Sequence, residues 1–141
     1  MSDETRDLAA YRLERAREAL LEAALLFDAG HLNVYVNRLY YACFYAVTAL
    51  LVTRGISTSK HGHLRALLHR DFVKTGIIPV ALGKHFDRLF SSRQEGDYAD
   101  FVVFNADEVR PWLELSRAFV DHIAHIVDPS TNSTPRTTNI E

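Results

Sequence analysis

Apolar residues in this chain recur every three or four positions, and apolar–polar alternation bounded by turn pairs is missing. A period near 3.6 belongs to amphipathic helices and a period of two to half-buried strands. That pattern restricts the chain to all-α architectures. In the first segment Leu13, Ala16, Leu20, Ala24 and Phe27 form one apolar stripe, with Arg12, Glu14, Arg15, Arg17 and Glu18 opposite. The spacing predicts a helix over about Thr5 to Asp28, stopped by Gly30. A second helix is expected from Leu32 to Arg54, ended by Gly55, followed by the loop "GISTSKHGH". A third, about Gly62 to Lys74, turns Leu64, Leu67, Leu68 and Phe72 inward. Pro79 suits the first turn of a fourth, which buries Leu82, Phe86, Leu89 and Phe90 and frays near "SSRQEGDY". The last helix lies between Asn105 and Val127, with Asn105 and Glu108 spaced as a capping box. Pro111 would cost about 3 kcal/mol in a helix interior, so this helix either starts near Glu108 or bends at Pro111.

The expectation is a five-helix up-and-down bundle in one domain, residues 1–127, followed by a polar, proline-containing and flexible tail, residues 128–141. The 141 residues suffice for one core without staples, and 48% apolar content with a net charge of −2 excludes global disorder. That balance also argues against non-specific, charge-driven nucleic-acid binding over the whole surface, while leaving room for a local basic patch. The single cysteine, Cys43, falls in an apolar helical pattern and offers no disulfide framework. The N-terminus begins with acidic residues and is unlike a signal peptide, and no run approaches membrane-spanning length. A cytoplasmic protein with no membrane partner is expected.

The second helix is the unusual one. "NRLYYACFYAV", residues 37–47, holds three of the six tyrosines beside an arginine. At about 100° per residue, Val36, Leu39, Cys43, Ala46, Val47 and Leu50 form a core stripe bordered by Tyr40, Phe44 and Leu51. Asn37, Arg38, Tyr41, Tyr45 and Thr48 make a second stripe. Three readings of that face stay open: an ordinary surface with wetted hydroxyls, an interface, or a polar site with arginine aimed at an anion. Spacing alone favours an interface built on Arg38, Tyr41 and Tyr45.

"NRLYYACFYAVTALL", then "KHGHL", then "RQEGDY" resembles the HEPN domain family, and within it the small stand-alone prokaryotic proteins. The matching residues are Arg38, Tyr40, Tyr41, Ala42 and Phe44, then Lys60 and His61, then Arg93, Asp97 and Tyr98, and the resemblance covers about residues 5–127. It implies a HEPN-type helical bundle, a homodimer, and pairing with a small nucleotidyltransferase as toxin and antitoxin. Many such proteins are metal-independent ribonucleases marked by an arginine and, four to six residues on, a histidine. Cleavage of RNA by its own 2′-hydroxyl needs a proton acceptor and a cation on the phosphate, which those two residue types supply. Here Arg93 is present, but Asp97–Tyr98 stands where the histidine would be. Tyr45 likewise follows Phe44 where this branch often has histidine. The resemblance makes Arg93, Asp97 and Tyr98 the candidate catalytic residues, with Tyr98 near the position of a tyrosine that partner enzymes adenylylate. The alternative is a non-catalytic module that binds RNA, a nucleotide or a partner through a degenerate site.

"SKHGHLRALLHR" adds Lys60, His61, His63, Arg65, His69 and Arg70 with no acid among them. Phosphate binding near a helix start and a solvated helix face are about equally good readings, and Lys60, His61 and His63 join Arg38 and Tyr41 as candidates for RNA or nucleotide binding. His61 and His63 lack a third ligand at a metal-binding spacing, and no metal or cofactor is expected. His85 is assigned to the exposed side of the fourth helix, and His122 and His125 to a helix end. Phosphate-cradling glycine loops and nucleophile elbows are missing.

Overall fold

The computed structural model describes residues 1–98 and 103–130, with side chains throughout except at 94–98. Among the described residues it is all-α. Helix α1 spans Asp3–Asp28, α2 Leu32–Thr53, α3 His61–Leu68, α4 Val80–Tyr98, α5 Ala106–Val109 and α6 Trp112–Val127. The expected tail falls mostly outside the described residues, which stop at 130.

Local chemistry sets the helix ends. Ser2 caps α1, its hydroxyl accepting from the Thr5 amide at 3.1 Å, so the helix starts earlier than the apolar stripe indicates. Gly30 and Gly55 end α1 and α2 with φ of 83° and 75°, a region that suits glycine. The expected third helix divides: α3 passes at Leu68 into a π-helical turn, His69–Val73. Pro111 divides the expected last helix. Asn105 caps α5, accepting from the Asp107 and Glu108 amides, and α6 begins directly after the proline. Instead of fraying near Ser91, α4 continues through Gly96 to Tyr98.

Helix α2 is the axis of the molecule. Its buried residues run from Tyr35 to Leu51 and cover more than half of its circumference, while Asn37, Arg38, Tyr41, Phe44 and Tyr45 form a half-buried face. Helix α1 packs antiparallel to it: Arg38 reaches Glu22 while Tyr45, further along α2, meets the earlier residue Arg15. The small residues Ala9, Ala16, Ala19 and Ala23 form the buried face of α1 and allow close approach. Helices α4 and α6 cover the other sides, contributing Phe86, Leu89, Phe119, Val120 and Ile123. An Arg17–Asp121 ion pair at 2.8 Å ties α1 to α6.

His85 corrects its sequence assignment: it is only 3% exposed. Its Nδ1 accepts from Arg88 at 2.8 Å and its Nε2 lies 2.9 Å from the Ser116 hydroxyl on α6. A buried imidazole with both nitrogens bonded is a satisfied core group, and the surrounding hydrophobic helix period hides it from a surface-face reading. Burial, then the nearby Arg88 cation, pushes its pKa down from 6.5 to about 4. The unfolded imidazole binds a proton near 6.5 and the folded one only near 4. Stability should therefore be full above pH 6.5 and fall as pH drops towards 4, by roughly 3 kcal/mol from this group. Urea denaturation of the protein and of His85→Gln across that range checks this; parallel pH profiles for the two would contradict it.

Candidate functional site

The site is centred on a tyrosine of α2. Tyr40 sits at a core-border position and is 0% exposed. A buried phenol needs a polar partner, and the loop after α2 supplies one: the Tyr40 hydroxyl lies 2.7 Å from Nδ1 of His61, the first residue of α3. Phe44, one turn along α2, stacks on the imidazole at 4.3 Å and 14°. Tyr41 meets the same imidazole edge-on at 5.9 Å.

Helix α4 brings the cation. The guanidinium of Arg93 lies 4.8 Å from the centre of the Tyr40 ring and 5.9 Å from that of Tyr41, within the range of cation–π attraction. His61 stacks against the same Tyr40 ring at 5.6 Å. Residues 40, 61 and 93 thus converge on one ring. Burial, then the Arg93 charge, holds the His61 pKa below its usual value. His61 is half-buried and therefore within reach of a ligand. An arginine beside a neutral imidazole on an aromatic cluster can grip a phosphate, the arginine by charge and the imidazole by hydrogen bonding.

The chain belongs to the HEPN domain family. The HEPN domain profile matches residues 9–126. A UPF0332 protein of Thermotoga maritima is 42% identical over 118 residues, covering 84% of this chain and 89% of its own length. "Putative toxin MJ0142" of Methanocaldococcus jannaschii is 28% identical over 109 residues, covering 77% and 74%. "Putative toxin MJ0605" of the same organism is 29% identical over 111 residues, covering 79% and 82%. The all-α architecture agrees with the family. Among the described residues no helix is long and apolar enough to cross a membrane.

The remaining candidates fall into separate groups. Arg38 donates to Glu22 at 3.1 Å and lies 5.6 Å from the Tyr41 ring, so it adjoins the site through Tyr41. Its Nε is buried with no hydrogen-bond partner among the described residues. Tyr45 points the other way, receiving a 3.4 Å hydrogen bond from Arg15 of α1, whose guanidinium lies 5.1 Å from its ring. The face assigned to an interface is therefore partly covered by α1, and Tyr41 and Tyr45 are half-buried. Lys60 is exposed beside His61, whereas His63 turns away to Thr58 at 3.2 Å.

The rest of the basic stretch is neutralised by acids distant in sequence or adjacent to it. Arg65 and His69 share Asp87 of α4 at 2.7 and 2.8 Å, and Arg70 pairs with Asp71. Asp97 and Tyr98 follow Arg93 on α4 by about one turn, but their side chains lie outside those described, as does Asp100. Sequence reasoning placed Tyr40 and Phe44 in the core and missed their contact with His61. The available signal was a tyrosine, not a phenylalanine, at a core-border position within a Lys–His loop's reach.

The electrostatics can be tested directly. Arg93→Gln should raise the His61 pKa towards its usual value by removing the neighbouring cation. An NMR pH titration of the imidazole reads this, and an unchanged midpoint would mean that Arg93 does not act on the ring.

Proposed function

We propose that this protein is the toxin-like half of a two-component module and acts in the cytosol on RNA, gripping a phosphodiester between Arg93 and His61. The observation that carries the reading is the convergence of those two residues, 32 positions apart in sequence, on the buried ring of Tyr40. Two relatives are named as putative toxins, which supports the role. The partner in this reading is a small nucleotidyltransferase acting as antitoxin, as the family resemblance implies.

In RNA cleavage Arg93 would stabilise the negative charge that builds up on the non-bridging oxygens of the pentavalent phosphate, and no metal would be needed. His61, Asp97 and Tyr98 are the groups available for proton transfer or positioning. Lys60 would add charge at the entrance, and Arg38 and Tyr41 would line the side towards α1. In this reading His61, at the start of α3, is the histidine that stands beside Arg93 in place of one following it in sequence. The Asp97–Tyr98 substitution itself favours a second reading, in which the same site binds RNA or a nucleotide without cutting it.

Expression of the chain without its neighbours should arrest growth, and Arg93→Ala should relieve the arrest by removing the cation. Continued arrest with a folded Arg93→Ala protein would sink the assignment. Labelled RNA incubated with purified protein separates the two readings: cleavage that survives a chelator supports the nuclease, and retention without cleavage supports the binding module.

The homodimer is proposed to use the α2 face around Tyr41. Arg38→Glu combined with Tyr41→Glu should give monomers by light scattering; a dimer that persists would place the contact on another face.

A further inference from the structure

The pairing of Tyr40 with His61 constrains the imidazole in a way that neither residue's family position states. We infer that Tyr40 is a positioning residue that holds His61 in the tautomer protonated on Nε2, so that His61 meets a phosphate oxygen as a neutral hydrogen-bond donor and not as a base. The inference rests on the phosphodiester reading of the site and assigns His61 a role within it.

The argument is one of proton accounting. The phenol has one proton, and the residue is 0% exposed, so bulk water does not reach it. Among the described residues the hydroxyl has one hydrogen-bond partner, Nδ1 of His61 at 2.7 Å. If Nδ1 carried a proton and donated it to the hydroxyl, the phenol proton would be left buried with no acceptor, an arrangement folded proteins avoid. If the hydroxyl donates, both groups are satisfied. Nδ1 must then be the bare nitrogen, and the proton of the neutral ring belongs on Nε2. Burial raises the Tyr40 pKa well above its ordinary value, so the phenol keeps the proton it donates.

The rest of the environment preserves this state. The Phe44 stack and the Tyr40 ring restrict rotation of the imidazole. Tyr40 and Tyr41 face it from α2 and Arg93 from α4, while Lys60 and His63 flank it on its own segment. No carboxylate bonds to it among the described residues, so nothing there stabilises the imidazolium. Burial and Arg93 disfavour the charged ring. Nε2 is then the one ring nitrogen left for a ligand, and it offers a proton instead of accepting one. Arg93 supplies charge and His61 supplies a directed N–H, which makes a two-point grip on a phosphate. In a cleavage reaction, acceptance of the 2′-hydroxyl proton would fall to another group.

The test is spectroscopic and uses the whole chain. Two-bond proton–nitrogen correlation spectra of nitrogen-15-labelled protein at pH 7 distinguish the two ring nitrogens. The expected result is a bare Nδ1 and a protonated Nε2. Tyr40→Phe keeps the ring, the stack and the Arg93 contact but removes the hydroxyl; it should loosen the tautomer preference and raise the His61 pKa. A proton on Nδ1 in the unaltered protein, or an unchanged tautomer balance and pKa in folded Tyr40→Phe, overturns the inference. Adding a 2′-deoxy oligoribonucleotide analogue, which cannot be cleaved, should shift the Nε2 resonances more than those of Nδ1. A reversed tautomer leaves the RNA reading standing, because Arg93 still answers to its own test. The stated tautomer with no response to the oligonucleotide sinks the RNA reading and this inference together.

Discussion

Most of helix α2 between Tyr35 and Leu51 is buried, and the rest of the structure depends on that burial. The buried part of such a helix loses contact with water, which favours a protein partner for each polar group there. Its apolar residues decide where α1, α4 and α6 pack. Its polar residues decide where chemistry can occur. Tyr40 is the point where the two requirements meet: its ring fills the core, and its hydroxyl holds the start of α3 through His61.

The site follows from that single hydrogen bond. Once His61 is seated on Phe44 and Tyr40, the remaining open edge of the aromatic group faces α4, and Arg93 settles over the Tyr40 ring. Three helices therefore contribute to one small cluster. Burial and the Arg93 cation both disfavour the charged form of His61. His85, which is buried, obeys the same rule in a different setting: both of its nitrogens are spent on Arg88 and Ser116.

Most of the fold was legible in the sequence because helix periodicity is a local signal. The stripes of α2, α3 and α4 are buried largely as their spacing requires, and Gly30, Gly55, Asn105 and Pro111 act as caps and breaks for reasons each residue carries with it. The misplacements have equally specific causes. The early start of α1 depends on a serine cap ahead of the apolar stripe, and the π-turn at His69–Val73 leaves no periodic trace. His85 was assigned to the surface because a polar residue on an amphipathic helix ordinarily faces water. Its burial depends on a serine 31 residues away on α6.

By itself the sequence determined the all-α class, the number and order of the main helices, the HEPN family and the residue types available for handling a phosphate. Those properties depend on periodicity and motif order, which are written along the chain. Only the tertiary structure decided which of those residues meet. It joined His61 to Tyr40 and Arg93, took Arg65 and His69 out of the basic patch by pairing them with Asp87, and covered part of the Tyr45 face with Arg15. The physical reason is that hydrogen bonds, ion pairs and desolvation act across space between helices. Their partners are fixed by how α2 is buried, and no local spacing records that burial.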